Sequence, residues 1–352
     1  MLAKKIGKIF CLFLMLTLLI SACGQSGTTT PTTSTTPPSS SGDGAPASAP
    51  AQETFKIYLA GATPGGGGVW DMIGAGMAEA IIRSNKGSSV TVVPGGGVSD
   101  VPVVSDKEAE LGLTHSVIAV AGVKGEDPFT QAYTNIRGVA SFYGSPLQFA
   151  VSPKLGLTSI GDIKENKVPI KLAVGDPGST GELATKRILE AYGMTYGDIE
   201  SWGGQILFKD MGEAATMYGD DIINGFTLLT LAPNGPLQQV SSNKEVQLLP
   251  IDQDKVRQMV DNYGYSAASI PQDAYAFMTG DLTSFSSQVV LITSDDRSEQ
   301  EVYQITKAFL ENIDYLRSIH NNLKDLQPSD MVDTGIELHP GAAKAYKEAG
   351  VL

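Results

Sequence analysis

The residues best placed for chemistry form a glycine-rich turn between an apolar strand and an amphipathic helix. The strand ends at Val174, the turn covers residues 175–179, and the helix follows. Ser179 or Thr180 is placed to cap the helix, with Glu182 near the third position of a capping box. Free amides and the positive end of the helix dipole favour a bound carboxylate by about 0.3–1 kcal/mol when exposed. A well-capped structural turn explains the same residues equally well.

The same strand, glycine turn and helix recur twice earlier in the chain. Residues 55–60 precede the glycines of 61–68 and a helix over 69–83. Residues 90–93 precede Pro94-Gly95-Gly96-Gly97 and a helix that begins near Ser99. Strands that alternate with helices predict parallel βαβ units, whose ligands bind beyond the carboxyl ends of the strands. We therefore expect the three turns to face one ligand.

The candidate ligand-binding residues lie on these turns and on neighbouring loops. Backbone amides would hold carboxylates, Trp70 and Tyr143 would form apolar walls, and Asn234 would add a side-chain hydrogen bond. Two of them have a simpler alternative, because His115 could be structural and Tyr143 a core aromatic. The predicted set is Gly66, Gly67, Val69, Trp70, Gly96, Gly97, Val98, Thr114, His115, Ser116, Tyr143, Gly178, Ser179, Thr180, Gly181, Ala232 and Asn234.

Motifs for catalysis, cofactors and metals are missing from the sequence. It contains no P-loop, no dinucleotide fingerprint after a strand, and no G-x-S-x-G elbow. Its three histidines, His115, His320 and His339, form no His-x-x-x-His pair, and no cysteine pair is present. We therefore expect no enzyme, no cofactor and no metal.

The first 22 residues have the pattern of a secretory signal. Lys4, Lys5 and Lys8 precede an apolar run too short to span a bilayer comfortably. Ile20-Ser21-Ala22-Cys23 is similar to a lipobox, which predicts cleavage before Cys23 and lipid on its sulfur. Two or more acyl chains anchor a protein stably where one does not. Cys11 leaves with the signal, so no internal disulfide can form.

The next segment and the overall charge limit the partners. Residues 24–52 are mostly Gly, Ser, Thr, Pro and Ala, a composition typical of a disordered tether. The chain carries 25 Lys and Arg against 38 Asp and Glu, a net charge of −13. That balance argues against nucleic-acid binding. It also means that local groups must attract any acidic ligand.

Length and strand pattern predict an α/β protein of two lobes. The chain is too long for one small core. The strand-rich run over 136–151 and the strand over 288–293 are expected to cross between the lobes. We therefore assign residues 54–146 and 288–352 to lobe I and residues 147–287 to lobe II, after a signal over 1–22 and a lipidated tether over 23–53.

In motif order and spacing, residues 54–350 resemble the TAXI-type solute receptors of TRAP transporters. The similarity rests on the first glycine loop and the segments Pro94-Gly95-Gly96-Gly97-Val98-Ser99, Val174-Gly175-Asp176-Pro177-Gly178-Ser179, Ala232-Pro233-Asn234 and Leu338-His339-Pro340-Gly341-Ala342. The resemblance implies a two-lobed type II periplasmic-binding-protein fold. Each lobe would be a mixed sheet flanked by helices, with the ligand cleft between the lobes.

The function implied by this resemblance is extracytoplasmic capture of a small organic acid or an amino acid such as glutamate. A lipid-anchored monomer would deliver it to a sodium-driven membrane permease. Val69-Trp70 stands where the family often has paired tyrosines, so Trp70 is expected to stack on a flatter or larger ligand. Three alternatives stay open: the binding protein of an ABC importer, an enzyme on the same scaffold, and a surface adhesin.

Overall fold

The computed structural model describes residues 54–62 and 69–352. The predicted signal, Cys23, the tether and the glycines Gly66 and Gly67 lie outside the described residues. None of the described helices is long and apolar enough to cross a membrane.

Ten strands and twelve α-helices form the described part of the chain. The strands are β1 Lys56–Ala62, β2 Ser89–Pro94, β3 Leu111–His115, β4 Ile136–Val151, β5 Lys171–Ala173, β6 Gln205–Leu207, β7 Gly225–Leu229, β8 Gln247–Leu248, β9 Ser266–Ile270 and β10 Leu282–Ser294. The helices are α1 Val69–Ser84, α2 Asp100–Ser105, α3 Ser116–Lys124, α4 Gly161–Glu165, α5 Thr180–Ala191, α6 Tyr196–Ser201, α7 Met211–Gly219, α8 Gly235–Ser241, α9 Gln253–Tyr263, α10 Glu299–Glu311, α11 Ile313–Ile319 and α12 Pro340–Glu348.

The strands follow the order β2-β1-β3-β10-β4-β7-β5-β6, with β8 on β4 and β9 on β10. The pairs β1–β2 and β1–β3 are parallel, as are β5–β6 and β5–β7. The pairs that involve β4 or β10 are antiparallel. Two mixed sheets therefore share the long strand β4, which confirms the predicted α/β class and mixed sheets of a two-lobed fold.

The two long strands, β4 and β10, connect the lobes and are almost entirely buried. The 16 residues of β4 pair with β10 through their first half and with β7 through their second. A continuous apolar run, Val289-Val290-Leu291-Ile292, fills the centre of β10, as expected for a strand covered on both faces. One apolar cluster extends from Val101 on α2 and Val290 on β10 to Ile170, just before β5, and Leu189 on α5. The predicted crossing strands are thus present.

The structure departs from the sequence pattern at several elements. The apolar pattern over 298–316 predicts a single helix, but the structure has two helices, α10 and α11, separated at Asn312. The side-chain amide of Asn312 donates to the Ala308 carbonyl at 2.8 Å and to the Ser84 hydroxyl at 3.0 Å, an alternative to continued helix at that residue. The apolar run over 246–251 predicts a strand, of which the structure forms only β8. The sequence pattern missed α3, α4, α6, β6 and β9, most of which are short.

Candidate ligand-binding site

A cavity of about 360 Å³ lies at the carboxyl ends of the parallel strands, where the two sheets meet. Both lobes contribute to its wall. The lining residues are Gly61, Trp70, Pro94, Gly95, Gly96, Ser99, His115, Gly175, Asp176, Pro177, Ser179, Thr180, Gly181, Asp210, Met211, Thr227, Leu228, Leu229 and Thr230. Six of the predicted site residues are among them: Trp70, Gly96, His115, Ser179, Thr180 and Gly181.

The second and third glycine turns meet directly across this cavity. An isolated antiparallel bridge pairs Gly97, which follows β2, with Ser179, which precedes α5. Gly97 has a φ of +79°, and a Cβ built there would overlap Thr180 Oγ1 and lie 3.3 Å from the Trp70 ring. Only glycine combines this left-handed backbone with so close an approach. The structure therefore has the lobes closed on each other at this point.

The start of α5 supplies hydrogen-bond donors to the cavity. The Ser179 hydroxyl accepts from the Glu182 amide at 3.2 Å, which confirms the predicted N-cap. The predicted capping box is only half formed, because the Glu182 carboxylate instead accepts from the Tyr196 hydroxyl at 2.9 Å. The first two helical amides, Thr180 and Gly181, have no acceptor within the helix. They point the positive end of α5 at the cavity that both residues line.

The backbone amides of the second turn are already hydrogen-bonded within the protein. The buried Asp100 carboxylate accepts from the Gly96 amide at 3.1 Å and from the Gly97 amide at 3.2 Å. In this structure the Gly97 amide is therefore satisfied within the protein, so its role toward a ligand carboxylate stays a prediction. Ser99 precedes α2, but its side chain makes no capping bond there. Asp100 organises this turn, and the Thr114 hydroxyl adds a bond to the Gly97 carbonyl at 2.7 Å.

Asp100 should make stability depend on pH. Burial raises the pKa of Asp100 to about 6. Hydrogen bonds from Gly96, Gly97 and Ser99 act in the opposite direction but are weaker than the effect of burial. Between pH 3.8 and 6 the folded protein keeps a proton that the unfolded chain has lost, so stability falls as pH rises through this window. At about 1.4 kcal/mol per pKa unit, the loss is about 3 kcal/mol. Asp100→Asn should remove it, as measured by urea unfolding from pH 4 to pH 7.

The control for this measurement is Asp106→Asn, an exposed residue at the end of α2. The quantity to compare is the wild-type stability minus the variant stability at each pH, because titrations shared by both chains cancel in that difference. A difference that stays flat for Asp100→Asn, or that changes equally for Asp106→Asn, contradicts the prediction.

Two buried polar side chains in the cavity wall have no hydrogen-bond partner among the described residues. These are both ring nitrogens of His115, which is 3% exposed, and the hydroxyl of Thr180, which is 2% exposed. Burial lowers the pKa of His115 to about 3, so its ring is neutral at physiological pH. The Trp70 and His115 rings lie 5.4 Å apart between centroids, tilted by 31°. A neutral donor and acceptor beside an indole suits a partly apolar, hydrogen-bonding ligand.

The remaining described members of the predicted set are not among the residues that line the cavity. Val69 and Val98 pack against apolar clusters. The Ser116 hydroxyl is 3.2 Å from that of Ser287. The buried Asn234 caps α8, because its side-chain oxygen accepts from the Leu237 amide at 3.3 Å. The other predicted residues absent from the wall are Gly97, Thr114, Tyr143, Gly178 and Ala232.

Two of these residues, Tyr143 and Ala232, line a second cleft of about 910 Å³ on β4. Tyr143 is 5% exposed and belongs to the apolar core of lobe I. Burial raises its pKa, with a smaller opposing effect from Trp70. Its position fits the simpler alternative of a core aromatic.

Sequence reasoning missed several wall residues. Asp176 lies inside the predicted turn of residues 175–179, but that prediction rests on the backbone of the turn and gives the Asp176 side chain no role. Asp210 and Met211 begin α7 directly after β6, a fourth strand-to-helix junction that lacks the glycines of the others. Residues 227–230 end β7, and their contribution follows from its place between β4 and β5. A search for polar caps after every strand would have found Asp210.

Solved structures of binding proteins share the fold. MatC from Rhodopseudomonas palustris, with bound malate, is 11% identical over 84% of this chain and 97% of its own, with a TM-score of 0.54. PhnD1 from Prochlorococcus marinus, in complex with methylphosphonate, is 14% identical over 85% and 99%, with a TM-score of 0.50. The periplasmic binding protein BugD is 15% identical over 84% and 98%, with a TM-score of 0.47.

A family model also matches most of the chain. It covers residues 62–350, which include every described strand except most of β1 and the whole described wall of the cavity except Gly61. The chain therefore shares the fold of the malate-bound MatC and of the methylphosphonate-bound PhnD1. By its family model, the chain is a member of the NMT1-like family.

Proposed function

We propose that this protein is the extracytoplasmic solute receptor of a TRAP-type secondary transporter. It closes its two lobes on a small organic acid or amino acid and presents the closed complex to a membrane permease. The observation that carries the proposal is the cavity walled by both lobes, with the bridge between Gly97 and Ser179 at its edge. A cavity that depends on both lobes couples ligand capture to a change of shape, which a permease can recognise.

The wall is built for binding and holding. The α5 amides of Thr180 and Gly181 suit a carboxylate, and the Trp70 ring offers apolar surface. A micromolar Kd needs about 8 kcal/mol net. A helix terminus, a few hydrogen bonds and the burial of apolar ligand surface can reach that value after the costs of association.

Attachment to the membrane is the second part of the proposal. Cleavage before Cys23 would leave a lipid-modified N-terminus, and the Ser- and Thr-rich segment would tether the folded body near the permease. This arrangement raises the effective concentration of receptor at the membrane surface.

Mass spectrometry of the gently purified full chain tests both parts. Under native conditions we expect one small molecule per chain, lost on unfolding and absent from Thr180→Trp, which fills the cavity. Under denaturing conditions we expect a mass that begins at Cys23 and includes acyl chains. A wild-type chain that retains nothing and binds no metabolite contradicts the receptor, and an unmodified Cys23 contradicts the anchor.

Uptake of the retained molecule by whole cells separates the two transporter classes. For a TRAP system, collapse of the sodium gradient should stop uptake, whereas loss of ATP at an intact gradient should not. The reverse result assigns the receptor to an ABC importer.

A further inference from the structure

The charges in the cavity wall indicate which class of ligand it holds, an inference that rests on the receptor function proposed above. The titratable residues of the wall are His115, Asp176 and Asp210, and it contains no Lys or Arg among the described residues. Segment 63–68, outside the description, is Thr-Pro-Gly-Gly-Gly-Gly and has no charged side chain to add. The His115 ring is buried and neutral. The side chains of the wall therefore present negative charge only.

Tertiary structure brings the two carboxylates together. Asp176 lies in the turn after β5, and Asp210 follows β6, which pairs with β5 in parallel. The Asp210 side chain is fixed as the N-cap of α7, where it accepts from the Glu213 amide at 2.8 Å. Partial burial raises the pKa of Asp176, and the nearby charges of Asp210 and Glu213 raise it further. Asp176 and Asp210 thus line one cavity and lie within electrostatic reach of each other.

The neighbouring lysine does not neutralise this pair. Lys209 places its ammonium 2.6 Å from the Glu213 carboxylate. Lys209 lowers the pKa of Asp176 by less than Asp210 and Glu213 together raise it. The Asp176 carboxylate has no hydrogen bond or ion pair with any described residue, so it can accept from a ligand.

Independent evidence for a ligand comes from two uncharged polar side chains in the cavity wall. His115 and Thr180 both line the cavity and are almost completely buried. Their ring nitrogens and hydroxyl have no hydrogen-bond partner among the described residues. Buried polar atoms are normally hydrogen-bonded, so these atoms indicate groups that a ligand satisfies. Both residues come from strand or helix ends on different lobes, which places the ligand across the cleft.

We propose that the cavity binds a small molecule with a protonated nitrogen and no net negative charge. Its ammonium or protonated heterocycle is held by Asp176 and Asp210. A single carboxylate or carbonyl accepts from the α5 amides, and the apolar part lies against Trp70. Dicarboxylates are excluded because one of their charges would lie among the acids without a cationic partner.

Matched probes of graded charge test this assignment on the full chain. One set is glutarate, 5-aminopentanoate and cadaverine. A flat set is terephthalate, 4-(aminomethyl)benzoate and 1,4-bis(aminomethyl)benzene. In calorimetry and thermal shift, we expect 5-aminopentanoate and 4-(aminomethyl)benzoate, which carry one amine and one carboxylate, to bind at least 100-fold more tightly than the dicarboxylate of the same set. A dicarboxylate that binds as tightly as its amine-bearing partners overturns the proposal.

Variants of Asp176 and Asp210 test whether these two carboxylates cause the preference for amine-bearing probes. Asp176→Asn/Asp210→Asn keeps a capping residue at 210 and should weaken amine binding at least tenfold. Asp220→Asn/Asp261→Asn changes net charge equally at two exposed sites and should have no effect. Equal losses in both double variants contradict a local role.

A second measurement covers the case in which no probe binds. The full chain is incubated with a metabolite extract, and the retained molecules are identified by mass spectrometry. A retained molecule with a basic nitrogen supports the proposal, and retention of acids without one overturns it. If nothing is retained, the receptor function itself fails.

Discussion

Gly97→Ala should abolish retention of a small molecule by the full chain while lowering the stability of the folded protein by only about 1–2 kcal/mol. The new methyl group would overlap Thr180 Oγ1 and crowd Trp70 at the point where the lobes bridge. The closed arrangement then costs more than ligand binding can supply, and we expect affinity to fall by more than 100-fold. Native mass spectrometry measures retention, and small-angle scattering should show a larger radius of gyration than for the ligand-loaded wild type.

The matched control is Gly264→Ala, at the C-cap of α9. Gly264 has a φ of +75°, almost the same as Gly97, but its Cβ would meet nothing within 4 Å. Both variants should lose about 1–2 kcal/mol of stability from the left-handed backbone. If Gly264→Ala also loses its ligand, or Gly97→Ala keeps it, the contact across the cleft is not what holds the lobes closed.

The second large effect concerns acid stability and His115. Burial lowers its pKa to about 3, whereas the unfolded chain takes up a proton near pH 6.5. Its contribution is therefore complete above pH 6.5 and is lost as pH falls toward 3, by roughly 5 kcal/mol over the whole window. His115→Leu, which cannot titrate, should keep that stability in urea unfolding between pH 7 and pH 4.

The same variant should separate stability from binding at neutral pH. Removing two unpartnered ring nitrogens should stabilise the ligand-free protein by about 1–3 kcal/mol and weaken ligand binding about tenfold. His320→Leu, at a partly exposed histidine, is the control and should change acid stability much less. A His115→Leu chain that unfolds in acid as readily as wild type refutes this account of the buried ring.

Hydrophobic and glycine patterns were enough to predict the scaffold. The apolar run at the centre of β10 and the strand-rich segment of β4 predicted the strands that cross between lobes, because strands buried on both faces are rich in apolar residues. Strand, glycine turn and helix predicted where the carboxyl ends of the strands would meet. Ser179 was identifiable as the cap of α5 because capping is local.

Patterns were less informative where local sequence competes with distant partners. The long apolar period over 298–316 continues through Asn312, so only the contacts of that residue with Ser84 reveal the break between α10 and α11. Asn234 looked like a ligand contact, but it is buried as the cap of α8. A polar residue after a strand has the same sequence signature in both roles.

The sequence by itself determined that glycine-rich segments follow three predicted strands of a two-lobed α/β protein, since strands and glycines are visible in the local sequence pattern. Only the tertiary structure decided which amides are taken within the protein: Asp100 accepts from those of Gly96 and Gly97, whereas Thr180 and Gly181, which begin α5, line the cavity. Tertiary structure also decided the charge of the cavity, because Asp176 and Asp210 are 34 residues apart and line one cavity only through the pairing of β5 with β6. Burial and electrostatic fields depend on such long-range neighbours, which no local pattern encodes.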